Sequence, residues 1–342
     1  MLKKIKIEDA VGRRLAHDLT QITPGKFKGA AFRRGHRVRP EDLPRLLDMG
    51  KKQVYVLTLR RGEVHEDEAA GRIARASAGR GIRLRGPREG KVDFLARVPG
   101  LLKVNVEALR KINAVGGLIL STRHSNSVVG AEETVAGTRA IPLTLKESTV
   151  RKVEELCHRS GPVAEVLPLR KKNVGILVTG SEILEGRIRD RSAGKVEEKV
   201  RAYGSAVIRR AVVPDDPERI AREIRGMKAA GCNLIVATGG LSVDPDDVTL
   251  EGIQKSGAEV ICYGVPVLPG SMSVYARLGK TTILGAPACV VHDPVTAFDI
   301  FLPRALADDP VTPKEIAGLG HGGFCLKCKV CRFPVCPFGK GW

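Results

Sequence analysis

NVGILVTG at residues 173–180 and CNLIVATGG at residues 232–240 are apolar runs without polar alternation, each ending in glycine. Runs of this length and composition read as strands covered on both faces. Between them, Ser192 to Tyr203 suits a helix closed by Gly204. AVIRRAVVP reads as another strand, and Pro217 opens a helix that runs to Ala230. Further on, Asp247 to Ser256 is helical in pattern, TTILGAP (281–287) is a strand, and Pro294 to Leu306 is a final helix. Strands separated by helices of this length predict an α/β unit with a mostly parallel sheet flanked by helices. Ligands in such sheets bind beyond the carboxyl ends of the strands. That rule singles out residues 179–192, 238–247 and 285–289.

The flanking sequence has a different texture. Residues 1–59 read as a compact α+β unit: Ile5 and Ile7 alternate with lysine, and Val11, Leu15 and Leu19 form a short apolar series. Pro40, Glu41 and Asp42 open a helix with acids in its first turn, where the helix dipole favours them. Leu43, Leu46 and Leu47 give that helix its apolar face, Gly50 ends it, and VYVL at 54–57 is a buried strand. Residues 60–100, rich in Arg, Gly and Glu, read as a helix from Glu66 to Ala78 followed by a loop. Residues 101–167 hold a helix from Val106 to Ala114, a strand in GGLIL at 116–120, and a helix from Leu145 to His158. At 342 residues the chain is long enough for two or three domains, and the boundaries expected are 1–167, 168–308 and 309–342.

The chain carries 57 Lys+Arg against 38 Asp+Glu, a formal charge of +19, which favours anionic partners: nucleic acid, a membrane surface or phosphorylated small molecules. The basic residues are dispersed, and aromatic residues make up only 4%, so the means for stacking on bases are sparse. No stretch is as long as a membrane-spanning helix, and MLKKIKIEDAVGRRLAHDL has no apolar core of a secretory signal, so no membrane role and a cytoplasmic location are expected. Cys157, Cys232, Cys262 and Cys289 are scattered and read as buried thiols of a reducing compartment. His17, His36 and His65 lack a visible second ligand and read as surface or turn residues, and His292 as a capping or packing residue.

Three loops at strand ends share a chemical theme. TGSEILEGRIRD supplies Thr179, Gly180, Ser181, Glu182 and Asp190. TGGLSVDPDDVT supplies Thr238, Gly239, Gly240, Ser242, Asp244, Asp246, Asp247 and Thr249. GAPAC at 285–289, with Pro287, is preceded by VPVLPGS, with Pro269 and Gly270. Glycines after a strand let backbone N–H groups approach a phosphate closely, and hydroxyls add neutral donors. Carboxylates repel phosphate but hold a hard cation such as Mg²⁺, or accept hydrogen bonds from the N–H groups of a ring. Any one loop alone reads equally as a tight turn; the three together, at strand ends and in this order, point to a phosphorylated ligand with a metal ion.

These motifs resemble the MoaB/Mog-type domain of molybdenum-cofactor biosynthesis, and within it the MoeA type. Thr179-Gly180-Ser181-Glu182-Ile183 followed by Gly186-Arg187-Ile188-Arg189-Asp190 is similar to the MoeA pattern TGDEL, then GxIxD. Gly239-Gly240-Leu241-Ser242-Val243, with Asp247 and Thr249, is similar to GGVSVG followed by D and T. Pro269-Gly270-Ser271-Met272 and Gly285-Ala286-Pro287-Ala288-Cys289 occupy the places of PGKP and GLPGNP. EDAVGRRLAHDL resembles the opening helix of the MoeA type, and FRRGHRVRPEDLPRLLDMG its segment before the binding domain. The departures are Ser181 for Asp, Ser271 for Lys, Met272 for Pro, and Ala288, Cys289 and Val290 for Gly, Asn and Pro; the DGYA segment is absent from residues 1–160.

The resemblance implies a MoaB/Mog-like fold with a MoeA-like N-terminal α+β region. It implies molybdopterin or its adenylylated form as ligand or substrate, Mg²⁺ as cofactor, and insertion of molybdate with release of AMP. Thr179, Gly180, Ser181, Glu182, Thr238, Gly239, Gly240, Ser242, Asp244, Pro269, Gly270 and Pro287 would bind the pterin and its phosphate, with Asp190, Asp246 and Asp247 in catalytic roles. A homo-oligomer and a molybdoenzyme acceptor are the implied partners. A non-catalytic carrier or sensor of molybdopterin is the alternative, and a nucleic-acid-associated protein using the basic surface and the cysteine knuckle of the tail is a second.

The tail reads CLKCKVCRFPVC at residues 325–336, so Cys325, Cys328, Cys331 and Cys336 are spaced C-x₂-C-x₂-C-x₄-C. Four thiols this close can surround one centre, either zinc or an iron–sulfur cluster. Lys327, Lys329, Arg332 and Lys340 make the knuckle basic.

Overall fold

The computed structural model describes residues 2–23, 27–57 and 59–341. The chain forms two compact units. One comprises Met1–Arg97, Val104–Arg123 and Ala131–Glu165; the other comprises Val98–Lys103, His124–Gly130 and Val166–Trp342. Among the described residues, no helix is long and apolar enough to cross a membrane.

In the first unit, strand Leu2–Lys6 pairs antiparallel with Gln53–Leu57, and Leu19–Thr23 with Phe27–Phe32. Ile7, Ala10, Leu15, Val38 and Leu46 fill the core of this part. Leu46 is buried as its spacing predicts, whereas Leu47 points outward at 52% exposure. The opening helix implied for EDAVGRRLAHDL shrinks to a 3-10 turn at Glu8–Ala10. Gly12, at φ +82°, turns the chain there, and its N–H bonds to Val38 O at 2.8 Å instead of continuing a helix.

Helix Glu66–Ser77 covers a four-stranded antiparallel sheet ordered Ile82–Arg88, Lys91–Ala96, Thr134–Ala140, Leu118–Thr122. The first two strands occupy the stretch expected to be a loop. Glu89 and Gly90 both have positive φ, which gives the tight turn whose twist suits a hairpin. His65, expected at the surface or in a turn, is 1% exposed. Its Nδ1 accepts from Asp67 N at 3.1 Å to cap the helix, and its Nε2 lies 2.8 Å from Ala16 O.

The second unit holds the α/β sheet. Its elements in chain order are β1 (Asn173–Thr179), α1 (Ser181–Leu184), α2 (Ser192–Ala202), β2 (Ala206–Val213), α3 (Pro217–Ala229) and β3 (Leu234–Thr238). They continue with α4 (Thr249–Lys255), β4 (Glu259–Tyr263), β5 (Val274–Leu278), β6 (Thr281–Ala286), α5 (Ala297–Leu306) and α6 (Pro313–Gly318). The six strands run in the order β2-β1-β3-β6-β5-β4. β2, β1, β3 and β6 are parallel; β5 and β4, absent from the sequence reading, add an antiparallel edge.

Two cores cover the two faces of this sheet, which is why the central strands lack polar alternation. Val174, Ile176, Val178, Leu234, Val236 and Leu284 pack on one side with α2 and α5. Leu177, Ile235, Ala237 and Ile283 pack on the other with α3 and α4. Gly175 lies where a Cβ would come within 2.7 Å of Met227 Sδ on α3, so the helix can sit directly on the strand. Edge strand β2 alternates between exposed and half-buried residues and carries Arg209 and Arg210, which discourage edge-to-edge pairing.

Residues 309–342 do not stand apart. Ile316, Leu319 and Phe338 belong to the same core as β1 and α5, because the tail folds back over α5. Residues 98–103 and 124–130, expected within an N-terminal region, also join this unit: Ser127–Val129 pairs with Gly100–Leu102, and Leu101 packs against Leu167 and Ala307.

Candidate functional site

Parallel strands β1, β3 and β6 all end on one rim, and each feeds a turn. The β3 and β6 turns, together with residues 270–272, enclose a pocket of about 290 Å³. Gly239, Gly240, Ser242, Asp244, Asp247, Gly270 and Pro287 line it, so seven of the residues singled out in the sequence share one cavity. Leu241, Ser271, Met272, Ala286, Ala288 and Cys289 complete the wall. No lysine or arginine lines it among the described residues.

The glycines of the wall are required by the protein itself. Gly239 has φ +88°, and a Cβ there would fall 2.2 Å from Thr179 O. Gly240 has φ +55° with Thr249 Oγ1 at 2.5 Å from the same added atom, and Gly270 has φ +112° with Ala297 N at 2.5 Å. Left-handed backbone and close approach therefore coincide, so only glycine fits these three positions of the wall.

Thr249 holds this turn in shape. Its hydroxyl donates to Gly239 O at 2.9 Å and lies 2.8 Å from the Thr179 hydroxyl, while its N–H donates to Gly240 O at 3.0 Å. Tyr263 adds a second brace: its phenol donates to Leu241 O at 2.9 Å, with Ser242 O also in reach at 3.0 Å. Burial, reinforced by the charge of Asp247, pushes the Tyr263 phenol above its ordinary pKa, so it stays a donor. Asp247 Oδ2 accepts from Asp244 N at 3.0 Å, which brings the two acidic residues together on the pocket wall.

The β1 turn stands behind and beside the pocket. Thr179 and Thr238 are buried at about 1% exposure. Ser181 N donates to Asp215 Oδ2 at 2.8 Å, and Asp215 N to Ser181 Oγ at 3.2 Å. Glu182 folds back on Gly180, its Oε1 within 2.9 Å of where a Cβ would be. Asp190 accepts from Ser192 N at 2.8 Å, Ser192 Oγ at 2.6 Å and Ala193 N at 3.1 Å, so its carboxylate caps the start of α2. The Ser192 hydroxyl lies 2.9 Å from that of Thr238, which links the cap to the end of β3. Asp246 is exposed and outside the pocket wall, and Pro269 contributes its carbonyl to Ala297 N at 3.2 Å. Of the three acids expected to be catalytic, the pocket therefore gathers only Asp247.

Of the residues that shape the site, Tyr263 stands in none of the quoted motifs, while Thr249, Ser271 and Cys289 fall within them without an expected ligand contact. Tyr263 acts through main-chain carbonyls, which no motif spacing reveals. Cys289, read as a buried thiol, is half-buried on the wall, and burial followed by the charge of Asp293 pushes it up.

The four tail cysteines line a second cavity of about 360 Å³ with Phe324, Leu326, Phe333, Val335 and Phe338. Cys325 and Cys336 are half-buried and Cys328 and Cys331 exposed, all as free thiols. Among the described residues, no group of three or more His, Cys, Asp or Glu stands in ligating arrangement around a point.

Residues 175–307 match the family described as "probable molybdopterin binding domain", and residues 4–58 match one described as a domain of unknown function. The chain is similar to a CinA-like protein of Mycobacterium leprae (strain TN), 38% identical over 81 residues, which is 24% of this chain and 19% of that protein. A CinA-like protein of Mycobacterium sp. (strain JLS) is 34% identical over 88 residues, 25% of this chain and 21% of that one. The chain thus spans about a fifth of the length of these relatives. Among solved structures it is similar to the molybdopterin biosynthesis enzyme MoaB from Thermus thermophilus, at 24% identity, 40% of this chain, 96% of that chain and a TM-score of 0.35. The molybdopterin-binding match covers the strands and turns that build the 290 Å³ pocket.

Proposed function

We propose that this chain binds molybdopterin, with the phosphate of the ligand seated on the Gly239–Gly240 turn and the pterin extending along the wall formed by residues 270–272 and 286–289. The observation that carries this reading is the composition of one pocket: three glycines at positive φ, two serines and two carboxylates, with no basic side chain among the described residues. Backbone N–H groups and hydroxyls can hold a phosphate, but adjacent carboxylates repel it.

Mg²⁺ resolves that conflict. It characteristically takes one or two carboxylates plus ligand phosphates and water, and Asp244 and Asp247 supply that donor set on the wall. When bound, the cation would neutralise the charge between carboxylates and phosphate and supply Lewis acidity. Asp247 meanwhile orders the loop through Asp244 N, Ser242 and Ser271 offer hydroxyls, and the braces at Thr249 and Tyr263 keep the peptide groups in place before any ligand arrives.

A second reading is favoured by the Asp244 and Asp247 pair: MoeA-like insertion of molybdate into adenylylated molybdopterin with release of AMP. Cleavage of the phosphoanhydride bond requires stabilisation of the charge that develops on the leaving phosphate, and the acidic pair would place the cation for it. Molybdopterin titration followed by pterin fluorescence, with and without Mg²⁺, tests binding: saturable quenching that strengthens with Mg²⁺ is expected, and no quenching in either condition rejects the site. AMP release from adenylylated molybdopterin on addition of molybdate then separates transferase from carrier.

A further inference from the structure

We propose that a basic face of the N-terminal strands, built by Lys4, Lys6, Arg14 and Arg37 around Tyr55, binds single-stranded nucleic acid.

The register of the strands assembles this face. Strand Leu2–Lys6 pairs with Gln53–Leu57, which sets Lys4 opposite Tyr55 and Lys6 opposite Gln53. On the other side of Gln53–Leu57, Leu15 bridges to Val56, and Arg14 bridges in turn to Arg37. Four chain segments therefore lie side by side across three strand spacings, roughly 14 Å. Alternation along each segment sends Val54, Leu15 and Val38 into the core and leaves Lys4, Lys6, Arg14, Arg37 and Tyr55 exposed.

The charge on this face is not balanced from within. Residues 4–58 hold thirteen Lys and Arg against six Asp and Glu. Among the described residues, the ion pairs of this stretch join Arg34 to Asp67, His36 to Asp42 and Arg39 to Glu41, and none reaches Lys4, Lys6, Arg14 or Arg37. Arg14 and Arg37 stand directly opposite each other: Leu15 N donates to His36 O at 3.0 Å, and Val38 N to Arg13 O at 2.9 Å, on either side of the pair. This is the closer of the two antiparallel pairings, and like charges placed there destabilise a sheet. An anion supplied from outside is what the pair lacks.

Tyr55 narrows the choice of anion. Its ring is 37% exposed beside Lys4, and His17 packs against it with centroids 6.2 Å apart and planes tilted by 55°. The ring is thus held by the protein and still open to solvent. Cations that follow a phosphate backbone, joined to an aromatic ring on which a base can stack, are the means by which proteins hold unpaired strands. A duplex keeps its bases stacked inside and would leave Tyr55 unused.

The full-length chain titrated against a fluorescein-labelled DNA single strand of about 20 nucleotides, in EDTA and read by anisotropy, gives the test. Saturable binding that weakens about fiftyfold between about 50 and 200 mM salt is expected, since each of four neutralised phosphates adds about −0.7 to the slope of log affinity against log salt. Arg14→Gln with Arg37→Gln should lower affinity at least tenfold at the lower salt and cut the salt effect to about sevenfold. The thermal midpoint of that variant should stay equal or rise, because the repelling pair is gone. Tyr55→Ala should weaken binding at least fivefold at both salt concentrations, and Tyr55→Phe should match the parent protein. No saturable binding at the lower salt overturns the proposal, as does unchanged affinity in the double arginine variant. Tighter binding to the corresponding duplex, or to vesicles containing phosphatidylserine, overturns it too. Molybdopterin and Mg²⁺ are absent from these mixtures, so the outcome stands apart from that of the pterin titration.

Discussion

The backbone N–H of Cys325 donates to the carbonyl of Leu268 at 2.8 Å, and Leu268 N returns a bond to Gly323 O at 2.8 Å. Leu268 is two residues from Gly270 on the wall of the glycine-lined pocket. The cysteine tail is thus strapped to the segment that shapes the candidate ligand site. The strap is anchored from behind by Phe338, which is 4% exposed in the core shared by β1 and α5. Phe338→Ala should cost about 3–5 kcal/mol of unfolding free energy, the usual penalty for a cavity of this size. Urea denaturation followed by circular dichroism checks it; a loss below about 1 kcal/mol would mean that the tail does not share the core.

Ser271 stands on the pocket wall at the place where the MoeA pattern has lysine. Among the described residues the wall has carboxylates and no cationic side chain, so phosphate binding should depend on added Mg²⁺. Ser271→Lys is expected to tighten pyrophosphate binding about tenfold in the absence of Mg²⁺, from a charge-assisted contact of about 1.5 kcal/mol, and to shrink the response to Mg²⁺. Asp244→Asn with Asp247→Asn should abolish the response to Mg²⁺ while leaving a weaker binding that is indifferent to it. Calorimetric titration with and without the cation distinguishes the two. Identical Mg²⁺ dependence in all three proteins would remove the carboxylates from the site.

Asp190 separates structural from chemical roles. Its oxygens are taken up by Ser192 N, Ser192 Oγ and Ala193 N at the start of α2. Asp190→Ala should therefore lower stability by about 0.5–2 kcal/mol, as loss of a helix cap does, while molybdopterin affinity falls less than it does in the Asp244 and Asp247 variants. Thermal unfolding and pterin titration of the same sample read both quantities. Complete loss of binding with unchanged stability would return Asp190 to the catalytic role its position in the motif implies.

The parts of the fold legible in the sequence were those set by one dominant pattern. VGILVT and LIVAT are buried on both faces, so they carry no competing signal, and Gly204 at φ +75° and Pro217 at the start of α3 mark helix ends by local chemistry. IRLRGPR was missed because only Ile82 of it is fully buried among arginines, and EVICY because it is half-buried throughout between an exposed Glu259 and an exposed Tyr263. The site was legible as far as backbone geometry demands glycine. What the sequence could not reveal was which carboxylates line the pocket: Asp190 and Asp247 look alike in motif, but one caps a helix and the other stands on the pocket wall, and only the fold decides between them.

The first unit carries a titration that the pocket does not share. Glu66 is 6% exposed beneath the Glu89–Gly90 turn, where Gly90 leaves room for its carboxylate and Gly90 N bonds to Asp67 Oδ1 at 2.8 Å. Burial, then the charge of Asp67, pushes Glu66 up from 4.5 to about 7, with Arg139 and Arg34 opposing and Glu89 assisting. The folded state thus holds its proton more tightly than the unfolded chain. Below about pH 4.5 both states are protonated and the stabilisation is complete. Between about pH 4.5 and 7 the unfolded chain ionises first, so stability falls as pH rises; above about 7 both states are ionised and this contribution is gone. Glu66→Gln keeps the neutral shape and removes the titration. Its unfolding midpoint should exceed that of the parent protein at about pH 8, approach it at about pH 4.5, and vary less between these limits. Equal slopes for the two proteins across that window would show that Glu66 ionises in the folded state as freely as in water.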